Sequence, residues 1–354
     1  MKKKFLKGPI PRLPLLLVCC LLFVFFGETT AFSARKKNEQ DALPAISFLL
    51  NGDGCYYSTD DSSDPKYELS YEGLDYYAPV KSPRTYKLPQ LSDQEFNRLS
   101  FEEKLTIADK LLSTLFYGYD QEILEEMVSS GHFLCSVKKG LADRKNSIAE
   151  VESYILDEDL FYASESIYSD NEIRQILARF YAMEHLDEYY LHNWIAYILT
   201  QTILFSPAEE LESAHKPDIE NVYNWLVFDM EDDISMRYST YMHMTGVENW
   251  RRFRSPEDNG REMMEIYLLD FNDAHVPLAA TALQNWSLSV DHDTLVIGLN
   301  ENTQPLSLFK TTVVDGFDFY RELAKSDAFT AGVTSRLVDF FFGNSPAKQK
   351  AYVV

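Results

Sequence analysis

The stretch "FRSPEDNGREMMEIYLLD", Phe253 to Asp270, reads as a helix with a well-marked start and an unusual interior. Ser255 suits the N-cap, Pro256 the first helical position, and Glu257 and Asp258 the positive end of the helix dipole. From Met263 to Leu269 every residue is apolar except Glu265. Glu257, Arg261 and Glu265 are spaced four apart, so they share one helix face, with Asp258 and Glu262 as an acidic row beside them. A carboxylate among apolar neighbours is strongly disfavoured without a partner, and the spacing offers Arg261 to Glu265. Two readings follow from this charged cluster. It either pins the helix to a neighbour through ion pairs, or forms an acid/base or divalent-cation site.

Around this helix the pattern is mainly α. Ser100 and Glu103 make a capping box ahead of a stripe formed by Leu105, Ala108, Leu112, Leu115 and Phe116, and Gly118 is placed to end that helix. A short helix ending at Gly131 follows, then a basic loop from His132 to Lys145 and a helix over Ser147–Leu156. One long helical stretch is predicted over Asn171–Phe205, closed by Ser206-Pro207. Further helices are expected over Asp218–Met230, Asp232–Met244, Glu257–Leu269, Ala274–Trp286, Phe317–Lys325 and Ala328–Phe342. Only "LSVDHDTLVIGLNENTQPLSLFKTTVV", Leu288 to Val314, has β character, and it reads as one small hairpin. The expected fold is thus a multi-helix globular domain with one small β-hairpin, preceded by an irregular N-terminal arm.

The expected segments are a signal peptide over 1–34, an extended Tyr/Asp-rich arm over 35–99, the helical domain over 100–343 and a tail over 344–354. Lys2, Lys3, Lys4, Lys7 and Arg12 precede an apolar run from Leu15 to Phe26, followed by small residues, which is the order of an exported protein's leader. The run is short for a bilayer span, so the membrane enters only through an uncleaved leader. Cys19 and Cys20 lie inside the run, which argues against lipid attachment. Removing residues 1–34 deletes five positive charges and one negative, taking the net charge from −22 to −26. Such a charge argues against nucleic acid and anionic membrane surfaces as partners and tolerates cations or basic proteins, while the simplest reading is that it only confers solubility. Cys55 and Cys135 then remain, and in an oxidising compartment they are either one disulfide or two buried thiols.

No P-loop, nucleophile elbow, dinucleotide fingerprint or HExxH is present. The acidic loop from Asp53 to Asp64 does not match the EF-hand spacing and reads as a solvated turn. Asp291-His292-Asp293 and Asp273-Ala274-His275 offer two ligands each, but a turn and a helix start account for them. His192-Asn193-Trp194 reads as packing inside the long helix. No cofactor is predicted, with a divalent cation at the acidic helix face as the alternative.

Pro256-Glu257-Asp258-Asn259-Gly260-Arg261-Glu262-Met263-Met264-Glu265 resembles the central signature of the bacterial family called domain of unknown function 1800. Ala279 to Trp286 resembles the block that follows it, and weaker similarities over about residues 100–343 keep the family's order. The chain looks like a divergent, C-terminally shortened member, with Gln284-Asn285 where the family has Thr-Gly. The resemblance implies an exported, mainly helical, periplasmic or secreted protein with a protein partner in the envelope, such as a sulfatase-like exported protein. The resulting expectation is a partner-binding or scaffolding component. The alternative is a metal-dependent hydrolase or redox enzyme using the acidic helix face, and glycan binding by the Tyr-rich arm is a third reading.

Overall fold

Helices make up nearly all regular structure in the computed structural model, which describes residues 70–71, 73–76, 91–116, 119–151, 168–207, 217–302 and 304–342. The expected leader, the acidic loop, Cys55, Gly118, residues 344–354 and most of the Tyr-rich arm lie outside the described residues. In chain order the helices are α1 (Asp93–Asn97), α2 (Phe101–Leu115), α3 (Gln121–Ser129), α4 (Phe133–Ala142), α5 (Tyr168–Ala182) and α6 (Glu188–Thr200). There follow α7 (Asp218–Glu231), α8 (Met236–Met244), α9 (Val247–Arg252), α10 (Pro256–Leu268), α11 (Val276–Ala282), α12 (Gly316–Lys325) and α13 (Asp327–Phe342). None of the described helices is long and apolar enough to cross a membrane.

Local signals place several of these elements. The Ser100 hydroxyl accepts from the Glu103 amide at 3.3 Å while the Glu103 carboxylate accepts from the Ser100 amide at 2.9 Å, so the capping box starts α2. Ser255 caps α10 by accepting from the Asp258 amide at 3.2 Å, and Pro256 is its first residue. In both cases polar side chains satisfy amides that the first turn leaves without partners.

Other elements depart from the sequence reading for tertiary reasons. The expected basic loop from His132 to Lys145 contains α4. His132 supplies no side-chain cap, and the carboxylate of Asp93 takes the amides of Leu134 and Cys135 at 2.9 and 3.1 Å from about forty residues upstream. The expected irregular arm contains a capping box of its own, Ser92 with Glu95, which starts α1 and brings Asp93 to that position. It also contains the two-residue ladder of β1 (Ser70–Tyr71) with β2 (Leu74–Asp75). The single stretch over Asn171–Phe205 is two helices. Asp187 caps α6 at the Tyr190 amide and also takes the backbone amides of Lys145 and Asn146, which breaks the chain direction beside a left-handed Leu186. The expected single hairpin is two, with β3 (Trp286–Leu288) against β4 (Leu295–Ile297) and β5 (Leu306–Leu308) against β6 (Thr311–Val313). Helix α11 ends at Ala282, earlier than expected, so Trp286 opens a strand instead of closing a helix.

Buried apolar residues from Leu74 to Val338 form one connected core, and α10 runs through it. Its apolar turn is buried at Met263, Met264, Ile266, Tyr267 and Leu268. The neighbouring helices come close because they meet it through residues without bulk. A Cβ on Gly260 would lie 2.6 Å from the Ala279 Cβ of α11, and one on Gly332 of α13 would lie 2.1 Å from the Tyr267 carbonyl oxygen. The second clash is with backbone, so the helices must separate to relieve it. Gly332→Ala should therefore lower stability by about 1–3 kcal/mol. Urea unfolding measures this, and an unchanged midpoint would show that close α10–α13 packing is not required.

Candidate protein-docking site

The acidic helix face that the sequence singles out lies along the outer side of α10. Glu257 and Arg261 form an ion pair at 3.4 Å, with side chains 69% and 43% exposed, and Asp258 is exposed. Arg261 thus turns back toward Glu257, and among the described residues no ion pair joins it to Glu265. Glu265 is only half-buried, which removes the need for a buried partner. Its carbonyl oxygen instead accepts from Arg336 of α13 at 3.1 Å. At Glu262, partial burial and the nearby Glu265 and Asp258 carboxylates raise the carboxyl pKa, against the pull of Arg252 and Arg261. Among the described residues no three His, Cys, Asp or Glu side chains converge as metal ligands. Cys135 is disulfide-bonded, and its expected partner Cys55 lies outside the described residues.

Asn259, Gly260, Met263 and Met264 of α10 face inward. Trp250 Nε1 donates to the Tyr320 hydroxyl at 3.0 Å, and that hydroxyl donates to Asn259 Oδ1 at 2.7 Å. Asn259 Nδ2 in turn donates to the Phe253 carbonyl at 3.2 Å. All three side chains are buried, and burial pushes the Tyr320 phenol well above its ordinary pKa. Trp286 packs beside this chain of hydrogen bonds, with ring centroids 5.8 Å from Trp250, 5.5 Å from Tyr320 and 4.8 Å from Phe317. Asn259 and Trp286 are therefore framework residues, while Pro256 is the half-buried first residue of α10.

Above them stand the hairpins. Arg251 of α9 grips Asp218 of α7 with Nε 2.9 and 3.1 Å from the two carboxylate oxygens, both side chains being almost fully buried. Its Nη1 then donates to the His292 carbonyl at 2.8 Å, which fixes the β3–β4 turn. The second hairpin turns through Phe309 and Lys310, both with positive φ, the arrangement whose twist matches paired strands. Held this way, the hairpins present Val290, Val296, Ile297, Leu299, Val314 and Phe317 to solvent, Leu299 being 90% exposed. Several of these adjoin. Ile297 pairs across from Trp286, against which Phe317 packs, and Asn300 and Asn302 both donate to the Val314 carbonyl. The same segment carries Asp291, Asp293, Glu301, Asp315 and Asp318 against a single lysine, Lys310. The segment thus combines exposed apolar side chains with an excess of carboxylates.

A second polar cluster joins elements far apart in sequence. His192 Nδ1 lies 2.5 Å from the Glu231 carboxylate, whose other oxygen meets Arg144, and Arg144 lies over the Tyr189 ring. Burial works to lower the His192 pKa, but Glu231, with Glu188 and Asp233 behind it, more than offsets this and the pKa is raised. Burial works to raise Glu231, and His192 and Arg144 bring it below its usual value. Neither helical spacing nor any motif signals this cluster, since its members meet only through folding.

No family model matches the chain, and no curated protein or solved structure matches it.

Two expectations distinguish framework from surface. Arg261→Met combined with Glu265→Leu should change stability by less than about 1 kcal/mol, because the pair it disrupts is exposed. Arg251→Met should cost about 3–5 kcal/mol, because it strands a buried Asp218. Chemical denaturation of both variants compares them, and equal costs would sink the distinction.

The His192–Glu231 pair makes a further prediction about pH. A raised histidine stabilises the fold below its unfolded value of 6.5, and this contribution is lost as pH climbs through the raised folded value. The lowered Glu231 contributes above its unfolded value of 4.5 and loses this as pH falls through its folded one. In Glu231→Gln the two Glu231 contributions are gone and burial is the largest remaining cause, so the loss of stability above pH 6.5 seen in the parent should disappear, any histidine contribution growing only as pH rises toward 6.5 and staying flat above it. Urea midpoints from about pH 5 to about pH 9 should converge above about pH 6.5, the parent losing its advantage over the variant as pH climbs; parallel curves would refute the coupling.

Proposed function

We propose that this protein is an exported component of the bacterial envelope that binds a basic protein partner through its hairpin face. The observation that carries this reading is the concentration of exposed apolar side chains in the hairpin segment, Val296 on one face of the β3–β4 ladder and Ile297 on the other, with Leu299, Val314 and Phe317 also exposed, in a stretch rich in carboxylates and braced by Trp286 and Arg251. Such exposure costs solvation free energy in the isolated protein, and a partner that covers these side chains recovers that cost. The acidic surround selects for positive charge and speeds encounter with it.

Residues 100–343 serve in this reading as one helical unit resembling domain of unknown function 1800. The burial of Asn259 and Trp286 supports that resemblance, since the signature positions then make the framework. Residues 1–34 act as the leader that delivers the protein to the periplasm or medium, where a sulfatase-like exported protein is one partner of the right location.

The test is cross-linking in the envelope of the producing cell, comparing the parent with a Val296→Asp, Leu299→Asp variant. The parent should yield a discrete adduct with a basic protein, and the variant should yield at least about tenfold less. Both substituted side chains are well exposed, so the variant should melt within about 3 °C of the parent. Identical adducts from both proteins, or no adduct from the parent, would overturn the reading.

A further inference from the structure

The β3–β4 ladder alternates in a way that leaves one edge open. The Ser289 amide donates to the Thr294 carbonyl at 2.9 Å and the Gly298 amide to the Asn285 carbonyl at 2.8 Å. With Ser287 opposite Val296, these fix 285/298, 287/296 and 289/294 as the hydrogen-bonded pairs. The intervening residues of β4, Leu295 and Ile297, therefore turn their amides and carbonyls away from β3. Among the described residues no strand pairs with that edge and no hydrogen bond takes those groups. The other edge of the ladder, on β3, packs toward α9.

Edge strands are normally blunted by a charge, a proline or a bulge. Leu295-Val296-Ile297 has none of these, and its three-residue length is all that limits pairing along it. Successive side chains of a strand point to opposite faces, so Val296 lies on one side of the ladder, while Ile297 shares the other with Trp286. An incoming strand would thus find two donors, two acceptors and apolar contacts on both faces. Resting on the partner-binding reading above, we propose that the β4 edge is the docking site itself, and that its occupant is an extended basic segment of the partner, added as a third strand. Charge selects the occupant. The segment from Trp286 to Asp318 has five carboxylates and one lysine, and the whole chain carries −22, so alternating lysine or arginine with apolar residues complements the edge. A second copy of this chain would bring the same acidic surround against itself.

The probe is a fluorescein-labelled peptide of alternating lysine and valine, titrated by anisotropy against the full-length protein. A glutamate–valine peptide and an N-methylated lysine–valine peptide that cannot form strand hydrogen bonds serve as comparisons. The lysine–valine peptide should bind, and N-methylation or the change to glutamate should weaken it at least about tenfold. Hydrogen exchange should show the Leu295 and Ile297 amides gaining protection when the peptide is added. Ile297→Pro removes an outward donor at a position where edge strands tolerate proline, and it should also weaken binding at least about tenfold. The N-methylated peptide makes the same test on the parent, whatever that substitution does to folding. Equal binding of the methylated peptide would overturn strand addition. Protection of both amides in the protein alone would assign the edge to its own chain, and a concentration-dependent dimer abolished by Ile297→Pro would assign it to a second copy. If Ile297→Pro is folded and still gives the envelope adduct, the edge proposal fails while the partner reading stands. If the parent gives no adduct, that reading fails.

Discussion

Asn259 accepts from the Tyr320 hydroxyl and donates to the Phe253 carbonyl, while Tyr320 accepts from Trp250. This buried run of hydrogen bonds joins α9, the turn into α10, and α12, three elements that packing alone would leave free to slide. An unpaired amide or hydroxyl at this depth costs about 1–3 kcal/mol, so only the register that satisfies all of them is populated. Gly260 and Gly332 allow α11 and α13 to approach on either side of α10, and that closeness is possible only once α10 is fixed. The placement of Trp286 against Trp250 and Tyr320, and with it the start of β3, follows from the same arrangement.

The hairpin face inherits its rigidity from a second buried interaction. Arg251 is consumed on one side by Asp218 and on the other by the His292 carbonyl. A buried ion pair of this kind contributes little net stability compared with an apolar packing of the same volume. What it supplies is position, because a guanidinium with fixed donor directions holds the β3–β4 turn at one height above α9. Two-stranded ladders are marginal on their own. Here the ladder is anchored at its base by Trp286 and at its tip by Arg251, so it can hold exposed apolar residues without collapsing onto the core.

Legibility in the sequence tracked the range of the interactions concerned. The start of α10 was readable because Ser255, Pro256 and Asp258 act within one turn, and the start of α2 because Ser100 and Glu103 do. Helix α4 was not, since its cap is Asp93, and the α5–α6 break was not, since Asp187 owes its position to residues 145 and 146. The charged face of α10 was found, but spacing gave Arg261 two equivalent partners, and only exposure decided for Glu257. Strand character over Leu288–Val314 was evident, whereas the second turn was hidden because Phe309 and Lys310 adopt positive φ without glycine or asparagine. The open edge of β4 was beyond sequence reading altogether, because which groups of a strand face outward depends on the parity of its pairing.

The acidic composition acquires a specific meaning beside that open edge. A bare apolar strand edge is a hazard, since any other extended chain can pair with it, including a second copy of the same protein. Placing a lysine within the edge would remove the hazard together with the binding capacity. Carboxylates in the surrounding sequence act more selectively in the proposed docking. They leave the outward amides and carbonyls available, disfavour approach by another molecule of net charge −22, and favour a basic chain. The discrimination comes from differential cost, because one charge pattern repels the wrong strand and attracts the right one. In the proposed docking scheme the surplus of Asp and Glu does more than confer solubility: it selects which strand the β4 edge accepts, an edge that no described strand pairs with.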